Sequence, residues 1–236
     1  ADRSLIAIQG PLAEQVLSRF SNSFYDMNFL DVINIEILGA TCWVSRSGYT
    51  GEDGFELSIP DNSTEKVVLE ILKDKNVMPI GLGARDSLRL EAGLCLYGND
   101  LNEIKTPIES SLKWAIHKAR REGGVRSGGF PGDKRIFHQL KFGTCECRIG
   151  LEPIGRAPVR EGCKVFLDLD SKKSIGHVTS GGFSPTLQRP ISVAFVESSW
   201  AKEGSKVFVE LRGKRIPALI TKLPFVKNRY RREERK

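Results

Sequence analysis

The sequence predicts an α+β protein whose first half mixes strands with helices and whose second half is a small β-barrel. Isoleucines alternate with polar residues over residues 31–38, which is typical of a half-buried strand. Apolar residues recur at helical spacing over residues 63–73 and 84–95. After a glycine-rich stretch, short strands follow one another closely, as they do in small barrels and sandwiches.

The alternation of strands and helices in the first half resembles the ferredoxin-like split unit, β-α-β-β-α-β. Gly10 and Pro11 open the first helix, because proline suits the first helical turn. Asn62 or Ser63 is the expected cap of the second helix. The predicted strands are 4–9, 31–38, 41–46, 55–59 and the short extended segment 79–82; the predicted helices are 10–20, 63–73 and 84–95.

The clearest loop is residues 123–132, where glycines and a proline oppose both helix and sheet. We therefore expect a domain over residues 1–122, a glycine-rich loop over residues 123–133, and a C-terminal barrel domain over residues 134–236. The predicted barrel strands are 148–151, 164–167, 174–180, 191–197, 206–211 and 216–223.

Composition points to a water-soluble protein. The 236 residues are 40% hydrophobic and 28% charged, which suits one large or two small domains. No run is long and apolar enough for a membrane span, and Ala1 begins no recognisable signal peptide. Five irregularly spaced cysteines predict a reducing compartment without disulfides. Cys145 and Cys147 share a strand face, and we expect buried thiols there rather than metal ligands.

The net charge of +7 gathers around residues 113–126 and 222–236. An acidic protein or an anionic cofactor would suit these basic segments. No aromatic interleaving accompanies the charge, so nucleic acid is a weaker expectation, outside a larger ribonucleoprotein assembly. We expect the last residues of the tail to be a solvated end.

The most informative segment is residues 47–56, where three glycines surround a tyrosine and acidic residues. Glycines at these positions permit tight turns and close approach of a ligand, although an ordinary hairpin loop explains the pattern equally well. Further motifs follow in a fixed order. The segments are LIAIQGP (5–11), SGYTGEDGFE (47–56), GARDSLRLEAG (83–93), LYGND (96–100), GHVTSGGFSPTL (176–187) and PFVK (224–227).

In this order, the segments resemble aminomethyltransferases, the T-proteins of the glycine cleavage system, over nearly the whole chain. The resemblance implies a transferase of one-carbon metabolism. It would take the aminomethyl group from the lipoyl arm of the H-protein, pass the one-carbon unit to tetrahydrofolate and release ammonia, without a metal. It also implies a ferredoxin-like half that binds folate, a C-terminal β-barrel, and a mitochondrial matrix or bacterial cytoplasmic location. The alternative is a non-catalytic relative that serves as a structural or folate-binding subunit of a larger assembly.

The resemblance implies three folate-binding residues in the first half. Glu56 would accept the paired N–H groups of the pterin edge, and a solvent-facing strand carboxylate is its plain alternative. Tyr49 would pack against a folate ring, or simply cover the hairpin. Arg85 would reach a folate carbonyl or carboxylate, or else form a salt bridge along its own helix.

Three more residues match family segments. Trp114 would flank the folate tail, with a core tryptophan as the alternative, and Tyr230 would close over the folate. Arg148 would lie near the reacting atoms in a supporting role, holding the catalytic carboxylate. Glu52 and Asp53 match the motif too, but read as turn formers.

The resemblance does not reach the family's N-terminal portion, which carries its catalytic aspartate. Asp2 and Arg3 do not match that motif, so we expect this catalytic group to be absent from the chain. Either the sequence begins part-way into a longer protein or the chain is a shortened relative, and we favour the first.

Overall fold

The computed structural model describes residues 2–232, so the expected solvated end, residues 233–236, lies outside the described part. Contacts divide the chain into two compact units, Ala1–Ala92 with Lys227–Lys236, and Gly93–Val226. The glycine-rich loop at residues 123–133 lies within the second unit, and the domain boundary that we place there stays a prediction.

The first unit is built on a four-stranded antiparallel sheet in the order β1-β4-β3-β2. Alternate residues of β4, such as Phe55, Leu57 and Ile59, are fully buried in one core with the helices. The ring of Phe24 packs edge-on against Phe55, with 5.3 Å between centroids. The strands are β1 (Arg3–Gln9), β2 (Val32–Ile37), β3 (Ala40–Ser45) and β4 (Gly54–Pro60). The α+β prediction is confirmed.

The helices of this unit differ from expectation at their ends. The helices are α1 (Ala13–Ser18), α2 (Asp61–Ile71) and α3 (Leu82–Glu91). The predicted cap of α2 is wrong: Pro60 is the N-cap, and the amide of Asp61 donates instead to the carbonyl of Asp2 at 3.0 Å. Helix α3 ends before the predicted residue 95, because Gly93 takes a left-handed φ of 66°. The predicted strand over residues 79–82 is absent from the sheet.

The second unit contains a closed barrel in the order β10-β5-β8-β7-β6-β9. All six predicted barrel strands are present, with ends shifted by a few residues. They are β5 (Glu146–Pro153), β6 (Lys164–Phe166), β7 (Gly176–Ser184), β8 (Arg189–Glu197), β9 (Lys206–Leu211) and β10 (Lys214–Thr221). The helix α4 (Asp133–Phe142) was not expected, although Ile136 and Gln139 are buried on one of its faces. Within residues 2–232 no helix is both long and apolar enough to cross a membrane.

Two buried carboxylates fix the segment that leads into the barrel. Asp100 is fully buried; it accepts from the amide of Leu96 at 2.8 Å and from the hydroxyls of Thr179 and Ser180 on β7. Glu109 accepts from the amide of Thr106, the Gln139 side chain and the Arg135 guanidinium. Both carboxylates therefore replace water with several protein donors.

Glu109 gives the fold a defined response to acid. Burial acts to raise the pKa of Glu109, but bonds from Thr106 and the charge of Arg135 outweigh it and lower the pKa below its ordinary value. Its contribution to stability is then present above the unfolded pKa, about 4.3, and is lost as pH falls through the lower folded pKa. We expect Glu109→Gln to be less stable than wild type near neutral pH, and this difference to shrink on acidification. Urea unfolding over a pH series measures it, with the exposed Glu122→Gln as control; a pH-independent difference would contradict the assignment.

The five cysteines are all free, as expected for a chain without a disulfide framework. Cys42 is fully buried, but Cys145 is exposed, so the expectation of a buried thiol at that position is wrong. Cys145 lies one residue before β5, where the strand has not yet entered the barrel wall. Burial raises the pKa of the Cys42 and Cys147 thiols.

Candidate functional site

The glycine-rich turn, residues 47–54, joins β3 to β4 and is organised by one side chain. The side-chain amide of Gln9 donates to the backbone carbonyls of Ser47 at 3.0 Å and Phe55 at 3.2 Å. A Cβ added at Gly48 would lie 1.8 Å from the side-chain oxygen Oε1 of Gln9. A Cβ added at Gly54 would lie 2.6 Å from the side-chain carbon Cδ of Gln9. Gly48 and Gly54 therefore leave room for the Gln9 side chain.

Glu56 lies on the face of the sheet opposite the core. Its neighbours across the strands are Ala7 on β1 and Ser45 on β3. The hydroxyl of Ser47 donates to Oε2 of Glu56 at 2.6 Å, while no described residue bonds to Oε1. The turn thus fixes one carboxylate oxygen and leaves the other able to accept a hydrogen bond.

Tyr49 and Arg85, both predicted to bind folate, form a pair. The Arg85 guanidinium lies 4.7 Å from the centroid of the Tyr49 ring, a cation–π contact between the turn and α3. The expected alternative for Arg85 was a salt bridge along its helix. Asp86 instead pairs with Arg89 at 2.7 Å. The Arg85 side chain is therefore held against an aromatic face with its own fork of donors exposed.

The C-terminal segment reaches the same turn. The amide of Arg229 donates to the carbonyl of Gly51 at 2.8 Å, and its guanidinium pairs with Glu52 at 2.9 Å. The next residue, Tyr230, stacks on Phe29 with 4.1 Å between centroids and 11° between planes. Burial raises the pKa of the Tyr230 phenol, with the charge of Arg232 acting the other way. The turn thus neighbours Glu56, Arg85 and the segment that carries Tyr230.

Sequence reasoning missed Arg46, the largest fully buried side chain. Its guanidinium pairs with Asp53 and with Glu14, the latter at 2.7 Å, and donates to the carbonyls of Phe24 and Met27. Burial acts to lower the pKa of Arg46, but both carboxylates outweigh this effect and raise the pKa. Asp53, read from the sequence as a turn former, is therefore one half of a buried ion pair.

The two remaining predicted site residues belong to the second unit. Trp114 lies in the short 3₁₀ helix Lys113–Ala115 and is 72% exposed, so the core-tryptophan alternative is wrong. Arg148 lies on β5 and is only 7% exposed. It donates from Nη2 to the carbonyl of Gly93 at 2.9 Å and from Nη1 to Sγ of Cys95 at 2.6 Å.

The basic segment at residues 113–126 divides into two kinds of side chain. Arg120 and Arg121 are partly buried and donate to backbone carbonyls of their own segment, including that of Gly128 at 3.0 Å. Lys113, Lys118 and Arg126 are exposed. Only the second group presents free charge at the surface.

Comparison with known proteins assigns the chain to a family. Two family models match: the GCVT N-terminal domain over residues 1–120, and the glycine cleavage T-protein C-terminal barrel domain over residues 147–227. The mitochondrial aminomethyltransferase of Dictyostelium discoideum is 47% identical over 98% of this chain and 58% of its own length. The chain belongs to the glycine cleavage T-protein family.

Other T-proteins agree with this assignment. The mitochondrial aminomethyltransferase of Pisum sativum is 43% identical over 97% of this chain and 55% of its own length. The crystal structure of the glycine cleavage system aminomethyltransferase of Bartonella henselae is 42% identical, with a TM-score of 0.88, over 98% of this chain and 61% of that one. The chain thus spans little more than half the length of the T-proteins that it matches.

Family membership confirms the resemblance predicted from the sequence segments and the C-terminal barrel. It does not test the roles of Tyr49, Glu56, Arg85, Trp114, Arg148 and Tyr230, which stay predictions. Each of the first three acquires a defined neighbour in the structure, and none of these neighbours blocks the role that the T-protein resemblance implies.

Proposed function

We propose that this T-protein chain acts in the aminomethyl transfer of glycine cleavage, with tetrahydrofolate as acceptor. The observation that carries the proposal is the arrangement around residues 47–54. There a carboxylate, an arginine stacked on a tyrosine, and a C-terminal aromatic segment all neighbour one turn. This set matches the needs of a folate, which offers paired pterin N–H groups, flat rings and a carboxylate tail.

In this proposal, Glu56 orients the pterin. A carboxylate can receive two parallel N–H bonds, and each oxygen has two lone pairs, so Oε2 can keep its bond from Ser47 while accepting another. The Ser47 hydroxyl thereby fixes the side-chain rotamer before folate arrives. Preorganisation of this kind lowers the entropy lost on binding.

The pair of Tyr49 and Arg85 would serve the rest of the folate. The Tyr49 ring supplies a flat apolar wall, and the Arg85 guanidinium, which is always charged, supplies donors for a carbonyl or carboxylate. Trp114 and Tyr230 would flank and close over the tail. Arg148 would act in support of the reacting groups. These residues bind and orient; the reaction is then accelerated mainly by holding two reactants together.

The transfer itself would move a one-carbon unit from the aminomethyl-lipoyl arm of the H-protein to tetrahydrofolate. Ammonia leaves, and a dihydrolipoyl arm remains on the H-protein. We propose the exposed charges of Lys113, Lys118 and Arg126 as the surface that attracts this partner. Because the eukaryotic relatives are named as mitochondrial, we also propose the mitochondrial matrix as the location.

Replacing Glu56 with glutamine tests the folate site. One acceptor oxygen becomes a donor that faces the pterin N–H groups, so we expect affinity for tetrahydrofolate to fall by about 1–3 kcal/mol, roughly fivefold to 150-fold. Calorimetric titration of tetrahydrofolate measures this loss. The matched control is Glu36→Gln, an exposed carboxylate on β2 of the same sheet.

Equal affinity of wild type and Glu56→Gln would remove Glu56 from the site. An assay of ammonia release from aminomethylated H-protein, with tetrahydrofolate present, then separates the two functional classes. The assay compares this chain with an N-terminally extended form, because the resemblance places the catalytic aspartate upstream. Turnover by the extended form supports the transferase. Folate binding by both forms without turnover by either supports the non-catalytic alternative, a folate-binding subunit.

A further inference from the structure

Among the described residues, no carboxylate pairs with the buried guanidinium of Arg148. Arg148 is only 7% exposed, and its side chain donates to the neutral carbonyl of Gly93 and to the sulfur of Cys95. No described group forms a hydrogen bond with its Nε. Burying a charge without a counter-ion costs free energy, so a negative charge beside Arg148 would be stabilised.

Cys95 is the group in contact that can supply this negative charge. Its sulfur lies 2.6 Å from Nη1 of Arg148, in the direction of a donated N–H bond. A thiolate accepts such a bond far better than a thiol, and an adjacent arginine stabilises the thiolate form. We propose that Cys95 is held as a thiolate by Arg148 and is the reactive modification site of this protein for small electrophiles.

A carboxylate on the same segment does not oppose this assignment. Asp100 bonds to the amide of Leu96, next to Cys95, but its charge is also met by the hydroxyls of Thr179 and Ser180. Cys95 itself is partly exposed, so a small reagent can reach the sulfur. The inference uses Arg148, which the function proposed above places in support of the reacting groups, but its test reads only the contact between Arg148 and Cys95 and needs no turnover.

The other four cysteines provide internal comparisons. Cys42 is fully buried, and burial raises the pKa of both the Cys42 and Cys147 thiols, which opposes thiolate formation. Cys145 is exposed, and no arginine within residues 2–232 bonds to its sulfur. Exposure alone would therefore rank Cys145 first, whereas charge stabilisation ranks Cys95 first.

The chemistry of modification is nucleophilic substitution. With iodoacetamide, the Cys95 sulfur forms a bond to carbon while the carbon–iodine bond breaks and iodide leaves. With hydrogen peroxide as oxidant, the sulfur bonds to one oxygen, the O–O bond breaks, and hydroxide leaves and is protonated to water. The sulfur is oxidised to sulfenic acid and the peroxide is reduced.

The test is limited alkylation with iodoacetamide, followed by peptide mass spectrometry of all five cysteines. At about pH 6, where an ordinary thiol is neutral, we expect Cys95 to react at least about tenfold faster than Cys145. Arg148→Met should bring the Cys95 rate down to that of Cys145, and Arg148→Lys, which keeps a cation, should retain part of the advantage.

If Cys95 were labelled at about pH 6 no faster than Cys145, the proposal would be overturned. An unchanged fast rate in a folded Arg148→Met protein would do so as well, because another group would then be responsible. Where Arg148→Met does not fold, the wild-type pH profile decides: between about pH 6 and 8 the Cys95 rate should rise much less than the rates of the other four cysteines.

Discussion

Replacing Arg46 with methionine is expected to destabilise the first unit by about 3–5 kcal/mol. Methionine fills a similar volume but offers no donor. The change leaves the carboxylates of Asp53 and Glu14, together with the carbonyls of Phe24 and Met27, without the guanidinium that now serves all four. Removing the buried guanidinium costs more than the network contributes, because the partly buried Asp53 and Glu14 stay partly desolvated and only Glu14 keeps another partner, Arg231. Urea unfolding followed by far-ultraviolet circular dichroism measures the loss.

The matched control for this experiment is Arg189→Met on β8. Arg189 also pairs with a carboxylate, that of Glu152 at 3.1 Å, but its side chain is 50% exposed. Surface pairs contribute about 0–1 kcal/mol, so this variant should be nearly as stable as wild type. Similar losses in the two variants would show that burial of Arg46 has no special importance.

The second large effect is expected at Gly181 in the barrel. A Cβ at this position would lie 1.7 Å from the carbonyl oxygen of Val159, a backbone atom. That carbonyl cannot move freely, because the buried hydroxyl of Ser192 donates to it at 2.7 Å. We expect Gly181→Ala to destabilise the barrel by about 3 kcal/mol, at the upper end of overpacking costs. Thermal unfolding provides the measurement.

Gly83→Ala is the contrasting variant. Gly83 lies in helix α3, has no left-handed φ, and has no atom within 4 Å of an added Cβ. Alanine favours helix over glycine by up to about 1 kcal/mol, so this variant should match or exceed wild type in stability. If Gly181→Ala were as stable as Gly83→Ala, the backbone at Val159 would have to move aside at little cost in free energy.

The parts of the fold that were predicted share a local signal. The barrel strands were found because each shows its own apolar run bounded by turn residues, and the closure of the barrel then satisfies the edges that such strands leave. The end of α3 was placed too late, because apolar periodicity continues past Gly93 whereas its backbone turns left-handed. The α2 cap was misassigned because Asp2, far away in sequence, supplies the acceptor.

The sequence predicted which residues belong to the candidate site, but not which side chains they contact. Tyr49, Glu56 and Arg85 were each identified from the family resemblance, whereas the contact of Arg85 with Tyr49 depends on how α3 packs. Arg46 was missed because a lone arginine beside a glycine-rich motif has no local pattern. Its acceptors come from three separate segments, and only the folded chain brings them together.

The first unit is made of two stretches of chain, with the barrel unit inserted between them. Phe29, Gly51 and Glu52 receive their partners from residues 229–231, which leave the ribosome only after every barrel strand has been made. Domains commonly fold during synthesis as their residues emerge. The barrel is continuous and can fold on emergence, while the turn at residues 47–54 must wait, with its C-terminal neighbours missing, until translation has passed residue 231. Until then, Phe29, Gly51 and Glu52 lack the ring stacking, the backbone hydrogen bond and the ion pair that residues 229–231 supply.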